Sequence, residues 1–145
     1  PTRASLVSGA VERLFASMRE QYQAAFARLA PGTDRLGAAI DLLWQTFQDP
    51  RLAAVLELYV AGRTDAELRA QLRPIADEHQ ALVLGLARAF FPEAASKARF
   101  AGTINLVLDA LQGMAVRRLS RPDDPSVKRT LALLKEIATA AAQES

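Results

Sequence analysis

An all-helical fold is what this sequence predicts, and three observations predict it. Apolar residues recur at spacings of three and four through almost every segment. No segment alternates with period two between turns, so no strand is expected. Proline, glycine, aspartate and threonine fall where helices would start and stop. About six helices joined by short turns follow, in one domain covering 1–145. A chain of 145 residues suits a single domain with a sizeable core.

The first helix is expected from about Thr2 to Leu29. Val7, Val11, Leu14, Met18, Tyr22, Ala25 and Leu29 make its stripe, widened by Phe15 and Phe26. Thr2 is the expected N-cap, its hydroxyl taking an orphan backbone N–H. Pro31-Gly32 ends the helix and Asp34 caps the next, whose buried side is Leu36, Ala39, Ile40, Leu43, Trp44 and Phe47. Asp49-Pro50 breaks the chain again, with proline suited to the first helical position. The third helix, Pro50–Gly62, is apolar nearly all round, a pattern that predicts packing on several sides. Thr64-Asp65-Ala66-Glu67 matches a capping box and opens a fourth helix, from about Asp65 to Phe90. Its stripe is Leu68, Leu72, Ile75, His79, Leu82, Leu86 and Phe90, and Pro74 either kinks or divides it.

The fifth helix is expected over Glu93–Ser120, and its section Phe100–Leu119 carries two kinds of information. Ile104, Leu108, Leu111, Ala115 and Leu119 form an apolar stripe, while Asn105, Asp109 and Gln112 line one flank. Gly102, Leu106, Asp109 and Gly113 form a further row. Glycine costs about 1 kcal/mol within a helix, so two on one row point either to a close approach by another backbone or to an ordinary core helix that tolerates them. Arg121–Pro125 is a turn by composition, and a last helix runs from Ser126 to about Ala142. Leu133 stands off its stripe and suggests a second contact surface.

Composition and missing motifs narrow the function. Half the residues are apolar, 23% are charged, and the net charge of +2 is too small to argue for nucleic-acid binding by this chain. No cysteine is present, which removes disulfides and thiolate chemistry and fits a reducing cytoplasm. No apolar run approaches the roughly 18 residues of a membrane span, and the N-terminal residues lack a signal-peptide core. His79 is the one histidine, and there is no nucleophile elbow, phosphate loop or metal-ligand spacing. No enzyme, cofactor, metal site or catalytic residue is expected. His79 on an apolar stripe is either a core histidine with one partner or a polar anchor in a ligand cavity. For such a cavity, Phe15, Met18, Trp44, Phe47, Tyr59 and Phe90 are the candidate walls, and Asn105 and Asp109 are further anchors.

Two stretches carry a family resemblance. Pro1-Thr2-Arg3-Ala4-Ser5-Leu6 resembles the Pro-Ser/Thr-Lys/Arg-x-x-Leu that follows the recognition helix of TetR-type transcriptional regulators. Leu42–Arg73, LLWQTFQDPRLAAVLELYVAGRTDAELRAQLR, resembles the effector-domain segment of many such regulators. The later LVLDALQGMAVRRL is similar to their penultimate helix. The resemblance implies the C-terminal effector-binding and dimerisation domain of a one-component regulator, a repressor. It implies that the DNA-binding helix-turn-helix head precedes Pro1 and is missing here, so DNA would be bound only through that head. It implies a homodimer in which the last two helices form a four-helix bundle, with Leu106, Gly113, Arg117, Leu131, Leu133 and Leu134 at the two-fold interface. The effector would be a hydrophobic or aromatic small molecule. The competing readings are a helical interaction module with a filled core, and a small enzyme or lipid carrier.

Overall fold

The computed structural model describes residues 2–143, so Pro1, where the first motif begins, lies outside them. Seven helices occur among the described residues: α1 (Arg3–Ala27), α2 (Arg35–Phe47), α3 (Pro50–Ala61), α4 (Ala66–Phe90), α5 (Pro92–Ala95), α6 (Phe100–Ser120) and α7 (Ser126–Gln143). There is no strand among them, and the fold is all-α as expected. The seventh helix arises because Glu93–Ser120 is not one element. The Ser96 hydroxyl donates to the Glu93 carbonyl at 2.7 Å, and tight turns carry the chain from Lys97 into Phe100, where α6 begins.

Local chemistry accounts for most boundaries. Thr2 accepts from the Ser5 N–H at 3.1 Å, Asp34 from Gly37 at 3.1 Å and Asp49 from Arg51 at 2.8 Å, each satisfying a donor with no partner inside its helix. A Cβ on Gly37 would meet the Asp34 carboxylate, so a side chain there would make the capping carboxylate shift. Gly32 takes a φ of +81°, which glycine adopts freely, and turns the chain between α1 and α2. The expected capping box is replaced by a cap one residue later. Asp65 accepts from the Leu68 N–H at 2.9 Å, while the Thr64 hydroxyl donates back to the Ala61 carbonyl. A carboxylate at a helix N-terminus also meets the positive end of the helix dipole, which favours Asp65 over a neutral hydroxyl. Pro74 leaves α4 undivided.

The helices assemble around two cores. One joins α1, α3 and α4 through Val11, Phe15, Val55, Leu68 and Leu72. The other joins α2, α6 and α7 through Ile40, Trp44, Val107, Leu111, Met114, Leu134 and Ala138. In the first, α1 and α4 run parallel. Phe15 stacks on His79 at 3.9 Å between ring centroids, and eleven residues further along both helices Phe26 stacks on Phe90 at 4.1 Å. Eleven residues are about three helical turns, so one face of each helix meets the other in a constant register. In the second core α6 and α7 form a hairpin, pinned by Arg117, which pairs with Asp124 at 2.8 Å and donates to Ser126. Lys135 on α7 reaches Asp41 on α2 at 2.7 Å, tying the hairpin to the rest.

Three packing expectations change. Along α1 the buried line is Ser8, Val11, Phe15, Met18 and Phe26, so Phe15 and Phe26 are its centre rather than its margin. In α3 only Val55 is buried and Val60 is 63% exposed, so this helix is covered on one side, not several. In α6 the buried line is Phe100, Val107, Leu111 and Met114, with Leu119 65% exposed. Leu111 alone belongs to both lines. Replacing Asp65 with alanine is expected to lower unfolding stability by about 1 kcal/mol in urea titration, the usual cost of a lost cap, while Thr64→Ala changes it by less than about 0.5 kcal/mol. The reverse order would restore the capping box.

Candidate functional site

Between the two cores lies a cleft of about 420 Å³, within the range of small-molecule sites. Every helix contributes to it. Phe15, Met18, Arg19 and Tyr22 come from α1, Leu36, Ile40 and Phe47 from α2, Leu52, Leu56 and Tyr59 from α3, His79, Val83, Leu86 and Phe90 from α4, Ala94 from α5, Ile104 and Leu108 from α6, and Ala138 and Ala141 from α7. The wall is largely apolar and aromatic. Ile104 and Leu108, expected as core, are only partly buried because they face this space. Gln80 from α4 and Asn105, Asp109 and Gln112 from α6 are exposed lining residues, so they mark a polar rim. The side chains of Gln80 and Asn105 meet across it at 3.4 Å. The polar flank of α6 is therefore the lip of the cleft.

One end is closed by aromatic rings. Phe26 stacks on Phe90, meets Phe91 edge-on at 5.7 Å between centroids, and carries the Arg35 guanidinium over its ring at 4.3 Å. Tyr22 joins them, its hydroxyl donating to the Ala39 carbonyl at 3.3 Å. Burial pushes the Tyr22 phenol up to about 12, so it stays protonated and its O–H is committed to that bond. Burial also raises Tyr59 above the ordinary phenol value.

The polar centre of the wall is Arg19 with His79. Arg19 Nη1 lies 2.8 Å from His79 Nδ1, and the guanidinium can only donate, so Nδ1 accepts and the ring proton sits on Nε2. Burial, and then the Arg19 charge, hold His79 down at about 4, so the imidazole is neutral near neutral pH. His79 is partly buried, has Arg19 as a hydrogen-bond partner and lines the cleft.

Of the nine residues named as pocket candidates, Phe15, Met18, Phe47, Tyr59, His79, Phe90, Asn105 and Asp109 line the cleft. Trp44 does not. It is 8% exposed within the α2–α6–α7 core, with Arg118 from α6 5.8 Å from its ring centroid. Sequence reasoning missed Arg19. The signal was present, because Phe15, Arg19, Tyr22 and Phe26 follow at spacings of four, three and four, which puts a charge on an aromatic line.

The interface candidates divide. Leu106 and Leu133 are 49% and 55% exposed, and a Cβ on Gly113 would meet nothing within 4 Å. The close approach expected at Gly102 and Gly113 is thus not made by any helix among the described residues. Leu134 is 5% exposed in the chain's own core, and Leu131 is partly buried against that core. Arg117 is occupied within the α6–α7 hairpin. Among the described residues no group of histidine, cysteine or acidic side chains could hold a metal ion, and no helix is long and apolar enough to cross a membrane. No family model, curated protein or solved structure matches this chain.

His79 makes stability depend on pH. Its folded-state value, about 4, lies below the ordinary 6.5, so the folded chain binds fewer protons than the unfolded one between them. The stabilisation is complete above about pH 6.5 and is lost as pH falls toward 4. With one histidine in the chain, the fall in melting temperature between pH 7 and 5 should flatten in His79→Gln, which keeps an acceptor for Arg19. An unchanged slope would show that His79 is not held neutral by the fold.

Proposed function

We propose that this chain is the effector-sensing and dimerisation domain of a one-component, TetR-type transcriptional repressor. The observation that carries the reading is the aromatic-walled cleft with its polar rim, left open between two cores. An interaction module with a filled core has no need of such a space. In this reading a hydrophobic small molecule enters the cleft and shifts the population of α1 positions. Helix α1 lends Phe15, Met18, Arg19 and Tyr22 to the wall, and its N-terminal end would be the covalent route to the DNA-binding head. A shift in head spacing then mismatches the two half-sites of an operator. The shift can be no larger than the difference in effector affinity between the two states.

The homodimer belongs to the same reading, in a cytoplasmic regulator. Leu106, Gly113 and Val116 follow at helical spacing on the outer side of α6, and Leu133 and Ile137 do so on α7. All four apolar side chains are at least 42% exposed in the single chain. Two such rows on one hairpin are suited to packing against their own two-fold copies as a four-helix bundle, with the glycines allowing close approach.

A thermal-shift screen of small apolar compounds tests the cleft. A ligand at a hundred times its dissociation constant adds about 2.7 kcal/mol, of the order of 10 °C in melting temperature for a domain of this size. Val83→Trp, which fills the cleft, should abolish that shift, and a screen without any hit would remove the ligand reading. Sedimentation tests the pairing: a dimer at micromolar concentration is expected, with Leu133→Glu driving it to monomer. A monomeric wild-type chain would overturn the bundle.

A further inference from the structure

We propose that the cleft receives an apolar molecule bearing a single carboxylate, and that Arg19 binds that carboxylate. The proposal rests on the reading of the cleft as a ligand site and specifies what that site selects.

Arg19 is the one lysine or arginine lining the cleft, and it is half-buried in an otherwise apolar wall. Three other arginines pair with carboxylates: Arg51 with Asp49, Arg73 with Asp77 and Arg117 with Asp124, none of them in the cleft. Arg19 pairs with no carboxylate among the described residues. Its partner is a neutral imidazole nitrogen, which takes one of five N–H donors and none of the charge. A guanidinium beside aromatic walls, with donors to spare, is incompletely matched by its own protein.

Hydrogen-bond polarity points the same way. With Nδ1 accepting from Arg19, His79 keeps its proton on Nε2 and becomes a second donor in the same wall. The Tyr22 hydroxyl is already committed to Ala39. Acceptors are concentrated instead at the exposed rim, and Asp109, the one acid among the lining residues, sits there in water. The inner wall therefore complements an acceptor carrying negative charge.

Charge number and shape choose the anion. One guanidinium balances one negative charge, and its planar fork matches the two oxygens of a carboxylate. A phosphate monoester would bring nearly two charges and leave one uncompensated. An amine would face Arg19 with like charge. A volume of about 420 Å³ accommodates an acid of medium chain length or a small aromatic acid.

The test is displacement of a neutral fluorescent probe, N-phenyl-1-naphthylamine, by decanoate, decanol and decylamine at pH 7.5, below their micelle concentrations. Loss of the probe signal in Val83→Trp assigns it to the cleft. Decanoate should displace the probe at least tenfold more tightly than decanol, with decylamine weakest. Arg19→Gln should bring decanoate to the level of decanol, read as the ratio of the two affinities within the variant, and Arg19→Lys should keep part of the preference. Equal binding of acid and alcohol by the wild-type chain, or a preference for acid that survives Arg19→Gln, overturns the assignment while leaving the cleft a ligand site. Should Arg19→Gln not fold, the order of the three compounds on the wild-type chain still decides it. Failure of the wild-type chain to bind the probe or any of the three removes the ligand site itself.

Discussion

The parallel register of α1 and α4 is the constraint on which the cleft depends. It is set twice, by Phe15 on His79 and by Phe26 on Phe90, at the same offset and three turns apart. Each aromatic pair contributes about 0.5–1.5 kcal/mol beyond its burial. Two of them at one offset do more than add, because slipping the helices past each other breaks both together. Between the two stacks, Met18, Arg19 and Tyr22 on α1 and Val83 and Leu86 on α4 are left facing inward along a wall whose ends are pinned. The same stacking that fastens this wall holds the imidazole of His79 where Arg19 can reach it.

An interior that packs to crystal density leaves few spaces larger than a water molecule. A cleft of about 420 Å³ in a domain of this size therefore reflects how its apolar surface is divided. The chain assigns it to two cores, α1–α3–α4 and α2–α6–α7, with α2 packed against both α1 and the hairpin. Most of the residues between the cores are partly rather than fully buried. Seating a ligand there would remove that apolar area from water, and such area contributes about 25 cal/mol per Å².

Much of the fold was legible because its boundaries are local chemistry. Thr2, Asp34, Pro50 and Pro31-Gly32 act through groups within a few residues, so their roles can be read without the tertiary structure. Asn105, Asp109 and Gln112 were readable as one flank for the same reason, since helical spacing alone groups them. What could not be read was which neighbour each face meets. Trp44 shares its stripe with cleft residues, but the packing of α2 on the hairpin turns its ring into the core. The all-round apolar α3 was legible as unusual, but one side is left bare. The fifth helix was misjudged at its start because Pro92–Ala95 carries the same helical preferences as α6 while Ser96–Arg99 turns away.

Arg19 shows why a charge on an apolar stripe is more informative than the apolar residues around it. Any of Phe15, Met18 or Tyr22 would serve a filled core as well as a cleft wall. A guanidinium would not, because a filled core would take it out of water without a counter-charge. The protein compensates in part, by supplying a neutral imidazole instead of a carboxylate. That choice leaves the guanidinium without the counter-charge a carboxylate would have supplied. It also fixes the imidazole's proton on Nε2, so one contact sets both the charge and the donor pattern of the wall. Local rules are broken in folded proteins mainly where function requires it. Here the break falls on α1, in the middle of the cleft wall.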